Sequence, residues 1–327
     1  MIAVSQRPAV EQLVARLSAD QQYDFQRIAD LKSAILGVWS RHSSAVMVDP
    51  QYAYPAALSR ISHKTGLILA VEQGNLESTP GGILNHLFKE DIVAKAKRLG
   101  VDAINLSLWF RPDASSSVVW HQKDLVNRVG NQCREFDLPF LLSPLLYSLP
   151  NERPVGNYAE LALAMVREFQ QERYGVDALQ LENPLPGDGS GTAVNHPTVV
   201  QEFFSALGAT VSIPWIMLTA GSGIENFRES LGYAFRAGAS GYLGGRALWS
   251  RQAENYPDLD AIGSLIETEM VPIAKQLQQL TRDHAKPWHT VSRYSNSDWK
   301  PSCDGNFYET YLGLSFDQYG SERNTGC

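Results

Sequence analysis

In the stretch Val176-Asp177-Ala178-Leu179-Gln180-Leu181-Glu182-Asn183-Pro184, an apolar run carries an amide and a carboxylate at alternate positions. Strand side chains alternate faces, so Gln180 and Glu182 share one face with Val176 and Ala178, while Leu179 and Leu181 take the other. A Gly/Pro-rich loop follows, which places both polar groups at the strand's C-terminal end. A carboxylate there can move protons, and an amide can donate and accept hydrogen bonds. The arrangement recurs along the chain. Apolar runs end on Asp49 and Glu72, others hold Asn105 and Ser143, Thr219 closes a further one, and Ser5, Gln6 and Arg7 follow the first. Asp49, Glu72 and Glu182 could act as acid and base or hold a divalent metal. The alternative is a structural network in which they pair with Arg7, Arg246 or Lys32. No organic cofactor is called for.

Two glycine turns, Ala220-Gly221-Ser222-Gly223 and Gly244-Gly245-Arg246, could bring backbone N–H groups close to an anion, with Arg246 pairing bidentately to a phosphate or sulfonate. Such turns are also ordinary tight-turn geometry. The histidines fall in helices and loops without metal-pair spacing and read as surface or interhelical groups. Trp109 and Trp249 are either walls of a pocket or plain core.

What must position these groups is a repeating strand–helix pattern. Strands are expected at residues 2–4, 45–50, 66–72, 102–109, 139–144, 176–184, 214–219 and 241–246. Helices are expected after Arg7 with Pro8 in the first turn, and at 24–41, 55–61, 89–99, 118–136, 158–171, 197–207, 225–237 and 259–280. Parallel strands need crossover helices, and eight such units make an α/β chain of the (β/α)8 barrel type, with ligands at the strands' C-terminal ends. The last two loops of such a barrel are a frequent phosphate site. Residues 1–283 are assigned to the barrel. Residues 284–327 are polar with scattered aromatics (Trp288, Trp299, Phe307, Tyr308) and read as an irregular extension, either a flexible tail or a strap that docks on a partner.

The 327 residues, 44% hydrophobic and 19% charged, suit one barrel with a full core. A net charge of −7 gives no basic footprint for nucleic acid. Cys133, Cys303 and Cys327 lack metal-ligand spacing, and no apolar leader or membrane-length run is seen, which points to a soluble cytoplasmic protein. Self-association is left open.

The set Gln6-Arg7, Val48-Asp49-Pro50-Gln51-Tyr52, Asp102-Ala103-Ile104, Tyr174-Gly175-Val176-Asp177-Ala178-Leu179, Leu181-Glu182-Asn183-Pro184, Leu218-Thr219-Ala220-Gly221 and Gly245-Arg246-Ala247-Leu248-Trp249 resembles the tagatose 1,6-bisphosphate aldolase family, which includes sulfofructosephosphate aldolases. The resemblance runs in order to about residue 282. It implies a class I aldolase barrel, in which a lysine on the sixth strand forms a Schiff base with a ketose phosphate and carboxylates move protons. This chain departs from that pattern. The Schiff-base lysine position is Gln180, a second lysine position is Asn105, a glutamate position is Ser143, and the aspartate before Gln6-Arg7 is Ser5. An amide cannot form an imine, because that step needs a free amine. The anion-binding elements, Arg7, Gly221-Ser222 and Gly245-Arg246, are kept. The expected ligand is therefore an anionic sugar-like molecule. It is acted on by a divergent carbon–carbon lyase or isomerase through Glu182, Asp49 or Glu72, or held by a non-catalytic sensor or scaffold.

Overall fold

A computed structural model describes residues 1–149, 152, 157–183, 197–219 and 223–291. Eight parallel strands follow one another in chain order: β1 (Ile2–Ala3), β2 (Ala45–Val48), β3 (Gly66–Ala70), β4 (Ala103–Trp109), β5 (Phe140–Leu145), β6 (Ala178–Leu181), β7 (Trp215–Leu218) and β8 (Tyr242–Leu243). Ile2 bridges Gly244 in parallel, and the Ala3 N–H donates to the Gly244 carbonyl at 2.7 Å. These bonds join first strand to last, leaving no sheet edge to cover. The expected (β/α)8 barrel is the observed fold.

The alternation that builds it is plain in β4. Ile104, Leu106 and Leu108 face out into the core shared with the helices, while Ala103 packs with the barrel interior alongside Ala3, Met47, Ile68, Ala70, Ile216 and Leu243. Three alanines sit there beside Met47, Ile68, Ile216 and Leu243, and Ala3, Met47 and Leu243 reach the C-terminal end, where polar side chains take over.

Each strand is followed by helical chain: α1 (Pro8–Leu17), α2 (Phe25–Trp39), α3 (Ala53–Ala57), α4 (Ile92–Arg98), α5 (Ser116–Glu135), α6 (Tyr158–Phe169), α7 (Pro197–Thr210) and α8 (Ile224–Arg236), with shorter α9 (Ser250–Ala253), α10 (Leu259–Leu265) and α11 (Val271–His284) completing the ring. Pro8 occupies the first turn of α1, where its missing N–H costs no bond. Asp24 caps α2 through the Arg27 N–H at 2.9 Å.

Two differences from the sequence expectation matter. The loop at 74–82 contains an antiparallel hairpin, Glu77–Thr79 with Gly82–Leu84, which stands over β3 and β4. The single helix expected at 259–280 is α10, a π-helical turn at Ile266–Met270, and α11. Pro272 has no N–H to give to the Thr268 carbonyl, and the ladder widens there.

Beyond α11 the Lys286 N–H donates to the Ala239 carbonyl and Val291 is buried, so the chain stays on the barrel to that point. The rest of the expected extension, 292–327, lies outside the described residues. Among the described residues, no helix is long and apolar enough to cross a membrane.

Candidate functional site

A cavity of about 470 Å³ opens at the C-terminal end of the barrel. Its lining draws on chain ends all round the barrel: Ser5, Gln6 and Arg7 after β1, Glu72 after β3, Ser107 and Trp109 on β4, Ser143 on β5, Glu182 after β6, Thr219 after β7, and Gly245 and Arg246 after β8. The volume is that of a small-molecule site, typically about 300–1,000 Å³.

Below the cavity floor lies a neutral trio. The Ser143 hydroxyl is 2.8 Å from Gln180 Oε1 and 3.1 Å from Asn105 Oδ1, and Asn105 Nδ2 donates to Ser107 Oγ at 3.3 Å. Gln180 and Asn105 are fully buried, and Gln180 Nε2 has no hydrogen-bond partner. A hydroxyl has one proton and cannot donate to two carbonyl oxygens at once, so one of the two amides presents N–H to Ser143 instead. Turning the Gln180 amide over meets that requirement. Asn105 and Gln180 thus support the floor from beneath rather than line the cavity.

Glu72 and Arg7 form the charged part of one wall. Arg7 Nη2 donates to the Glu72 carbonyl at 2.5 Å and lies 3.7 Å from Glu72 Oε1, while Glu72 Oε2 accepts from the Ser107 N–H at 3.1 Å. Burial raises the Glu72 carboxyl above its ordinary value, a trend that Arg7 opposes. Arg7 Nε and Nη1 and Gln6 Oε1 are buried without partners among the described residues.

Glu182 accepts a bond from the Tyr158 hydroxyl at 3.3 Å and otherwise abuts an apolar pocket that includes Leu146, Met165 and Val166. Desolvation raises its carboxyl to about 7, against the smaller opposing effect of the Tyr158 hydroxyl and the Leu146 backbone. A carboxyl half-ionised near neutral pH can both donate and accept a proton.

Asp49 is not part of this cavity. The chain leaves β2 at Val48 and turns into α3, so the Asp49 carboxylate folds back to accept the Gln51 N–H at 3.0 Å and the Tyr52 N–H at 2.7 Å. Its other oxygen pairs with Lys32 Nζ, which also donates to the Gln6 carbonyl at 2.7 Å. Both side chains are fully buried. The structural alternative raised from the sequence is the arrangement found. Lys32 is thereby committed, and burial lowers its pKa despite the nearby Asp49 charge.

The glycine turns also need revision. The Gly245 N–H is taken by Thr219 Oγ1 at 3.1 Å, so it is not offered to a ligand. The group on that side that faces the cavity is the Arg246 side chain, which is exposed and has no ion pair among the described residues. Gly221 and Ser222 lie outside the described residues. Trp109 does line the cavity, whereas Trp249 is buried core whose indole donates to the Ala3 carbonyl at 3.0 Å. Among the described residues, no three His, Cys, Asp or Glu side chains converge as metal ligands, so Asp49, Glu72 and Glu182 do not form such a cluster.

Sequence reasoning missed Asn85. This buried residue leads from the hairpin to the wall: its N–H donates to Gln122 Oε1 at 3.0 Å, its Nδ2 to the Ser107 carbonyl at 3.1 Å, and its Oδ1 accepts from the Trp109 N–H at 2.9 Å. It also missed Arg111, which grips Asp113 and Glu152 and donates to the Tyr147 carbonyl at 2.7 Å, tying the loops after β4 and β5 together. An asparagine and an arginine in loops carry no periodic signal.

Among known proteins, the chain is similar to tagatose 1,6-diphosphate aldolase 1 of Enterococcus faecalis, 29% identical over 87% of this chain and 90% of that protein. It is also similar to tagatose 1,6-diphosphate aldolase 2 of Streptococcus mutans, 27% identical over 88% and 91%. In structure it resembles a fructose-bisphosphate aldolase of Plasmodium falciparum, with a TM-score of 0.64 at 12% identity over 87% of this chain and 91% of that one. It resembles an archaeal fructose-1,6-bisphosphate aldolase, whose catalytic Lys was captured bound to a carbinolamine intermediate, with a TM-score of 0.55 at 17% identity over 86% and 93%. The DeoC/LacD family aldolase model matches residues 9–251, most of the barrel, and this chain belongs to that family.

Proposed function

We propose that this barrel binds a phosphorylated or sulfonated sugar-like ligand in the cavity above Ser143. On this reading it performs proton-transfer chemistry next to a carbonyl, isomerisation or carbon–carbon cleavage, without a Schiff base. The observation that carries this reading is the trio Asn105–Ser143–Gln180, a neutral hydrogen-bonded set at the imine position, beside a Glu182 carboxyl poised near neutrality. The tagatose 1,6-diphosphate aldolases to which the chain is similar supply the ligand class.

Glu182 removes or returns a proton at carbon. The raised Glu72 carboxyl, held by Arg7 and the Ser107 N–H, serves as the second acid–base group. Lys32, whose ammonium reaches the backbone of the cavity-lining Gln6, is bound to Asp49 and to that Gln6 carbonyl and is not available for imine formation.

The test is solvent-deuterium exchange into ketose phosphates followed by NMR, alongside borohydride trapping. Exchange or turnover that disappears in Glu182→Gln, with no trapped adduct in the native chain, is the expected result. A trapped adduct would overturn the reading. The neutral trio also favours a second reading, in which the barrel binds its ligand and does no chemistry. Stabilisation of the protein by a ketose phosphate with no exchange at any carbon would select it.

A further inference from the structure

Among the described residues, the charges around the cavity are distributed unevenly. By strand order β1 and β8 are neighbours, and β4 and β5 stand across the barrel from them. Arg7 and Arg246 therefore sit on one side. Arg7 has two buried nitrogens without partners, and Arg246 has no ion pair among the described residues.

The far side is of another kind. Trp109 ends β4, Leu145 ends β5, and Leu76 leans in from the loop before the hairpin. Ser107, Ser143 and Asn85 add uncharged polar groups on that side, Glu182 lies between the two sides, and Glu72 stands with Arg7, 3.7 Å away, on the cationic side. The aromatic wall is fixed in place, because the Trp109 carbonyl accepts from Gln122 Nε2 at 2.6 Å, its N–H donates to Asn85, and its ring meets Tyr147 edge to face at 6.4 Å.

We propose that the ligand of this cavity carries one anionic group, seated at Arg246 and Arg7, with an uncharged body lying against Trp109, Leu76 and Leu145. The inference rests on the sugar-phosphate reading above and narrows it to molecules with a single anionic head, such as ketose monophosphates. A second phosphate placed across the barrel meets an indole, two leucines and the Glu182 carboxylate, and among the described residues no cation lines that side. A buried anion without a counter-charge is unfavourable, and like charges add to the penalty. An indole face, by contrast, packs well against the C–H groups of a sugar. The tagatose 1,6-diphosphate aldolases similar to this chain are named for a ligand with a phosphate at each end, so the inference separates this chain from them.

The experiment is calorimetric titration of the intact chain with a ketohexose 1-phosphate, a ketohexose 6-phosphate and tagatose 1,6-bisphosphate. One monophosphate is expected to bind at least tenfold more tightly than the bisphosphate, and Arg246→Ala should remove that binding. Leu76→Lys, at an exposed rim position, adds a cation to the far wall and should improve bisphosphate binding selectively. Bisphosphate binding as tight as the better monophosphate overturns the inference while leaving the sugar-phosphate reading intact. Arg153 lies outside the described residues, and loss of tight bisphosphate binding in Arg153→Ala would show where the second phosphate goes, again against the inference. If none of the three sugars binds, the sugar-phosphate reading falls, and the inference with it.

Discussion

Replacing Glu182 by glutamine removes one titration and changes little else. The amide keeps the size of the side chain, and its carbonyl can still accept from the Tyr158 hydroxyl. The native carboxyl is raised from 4.5 to about 7 by burial. At about 1.4 kcal/mol per pH unit, that shift corresponds to about 3 kcal/mol. The sign follows from proton counting. Between pH 4.5 and 7 the folded chain keeps a proton that the unfolded chain has released, so the Glu182 contribution is most favourable below 4.5 and is lost as pH rises through 7. Other groups titrate in both proteins and cancel in the difference. Urea unfolding of the two proteins at pH 4.5 and pH 8 should therefore show Glu182→Gln gaining about 3 kcal/mol on the native chain between the two conditions. The deuterium-exchange rate of the native chain should show a limb near pH 7 that the variant lacks. A stability difference that stays constant across this range would mean that Glu182 titrates as an ordinary carboxylate, and the acid–base role would go with it.

Three further perturbations probe the frame around the site. Lys32→Met leaves the Asp49 carboxylate buried without its counter-charge and should cost about 3–5 kcal/mol in denaturant unfolding, most of it recovered in Lys32→Met/Asp49→Asn. Arg111→Lys keeps the charge but cannot grip Asp113 and Glu152 together with the Tyr147 carbonyl. It should cost about 2 kcal/mol and weaken ligand binding, read by thermal shift with and without a ketose phosphate. Gly130→Ala would gain about 1 kcal/mol from helix propensity alone. However, a Cβ there comes within 1.8 Å of the Tyr174 carbonyl oxygen, so the melting temperature should fall instead.

The barrel was legible because burial on both faces writes long apolar runs into the strands. In β4, Ile104, Leu106 and Leu108 mark the outer face, and Asn105, Ser107 and Trp109 fall between them. The polar residues near strand ends were equally legible, and most of them line one cavity. What the sequence left open were partnerships. Asp49 had equal standing as an acid or as half of an ion pair, and the turn into α3 and the burial of Lys32 that give it the ion pair leave no mark in the sequence pattern. The hairpin escaped notice because its arms, Glu77–Thr79 and Gly82–Leu84, are too short to show alternation. Gly245 looked like an anion-binding amide until Thr219 was found holding its N–H.

The floor trio and the two arginines of the cavity belong to different strands, so substitutions in one leave the other in place. Asn105, Ser143 and Gln180 come from β4, β5 and β6, whereas Arg7 and Arg246 follow β1 and β8. Placing a lysine at Gln180 tests that separation. A lysine there would be fully buried beside two neutral groups, with the Ser143 hydroxyl left to the Asn105 amide alone. Burial of this kind lowers a lysine pKa by about 3 units or more, a penalty of about 4 kcal/mol near neutral pH, but it also leaves an unprotonated amine ready to attack a carbonyl. Gln180→Lys should therefore be less stable, yet form a borohydride-trapped adduct with a ketose phosphate and cleave it poorly, since Ser143 supplies no carboxylate. Adding Ser143→Glu gives the ammonium a counter-charge and the site a proton carrier, and should recover both stability and cleavage. A folded Gln180→Lys protein that traps nothing would show that the cavity does not deliver a ketose carbonyl to β6, and would favour the reading in which the barrel binds its ligand and does no chemistry.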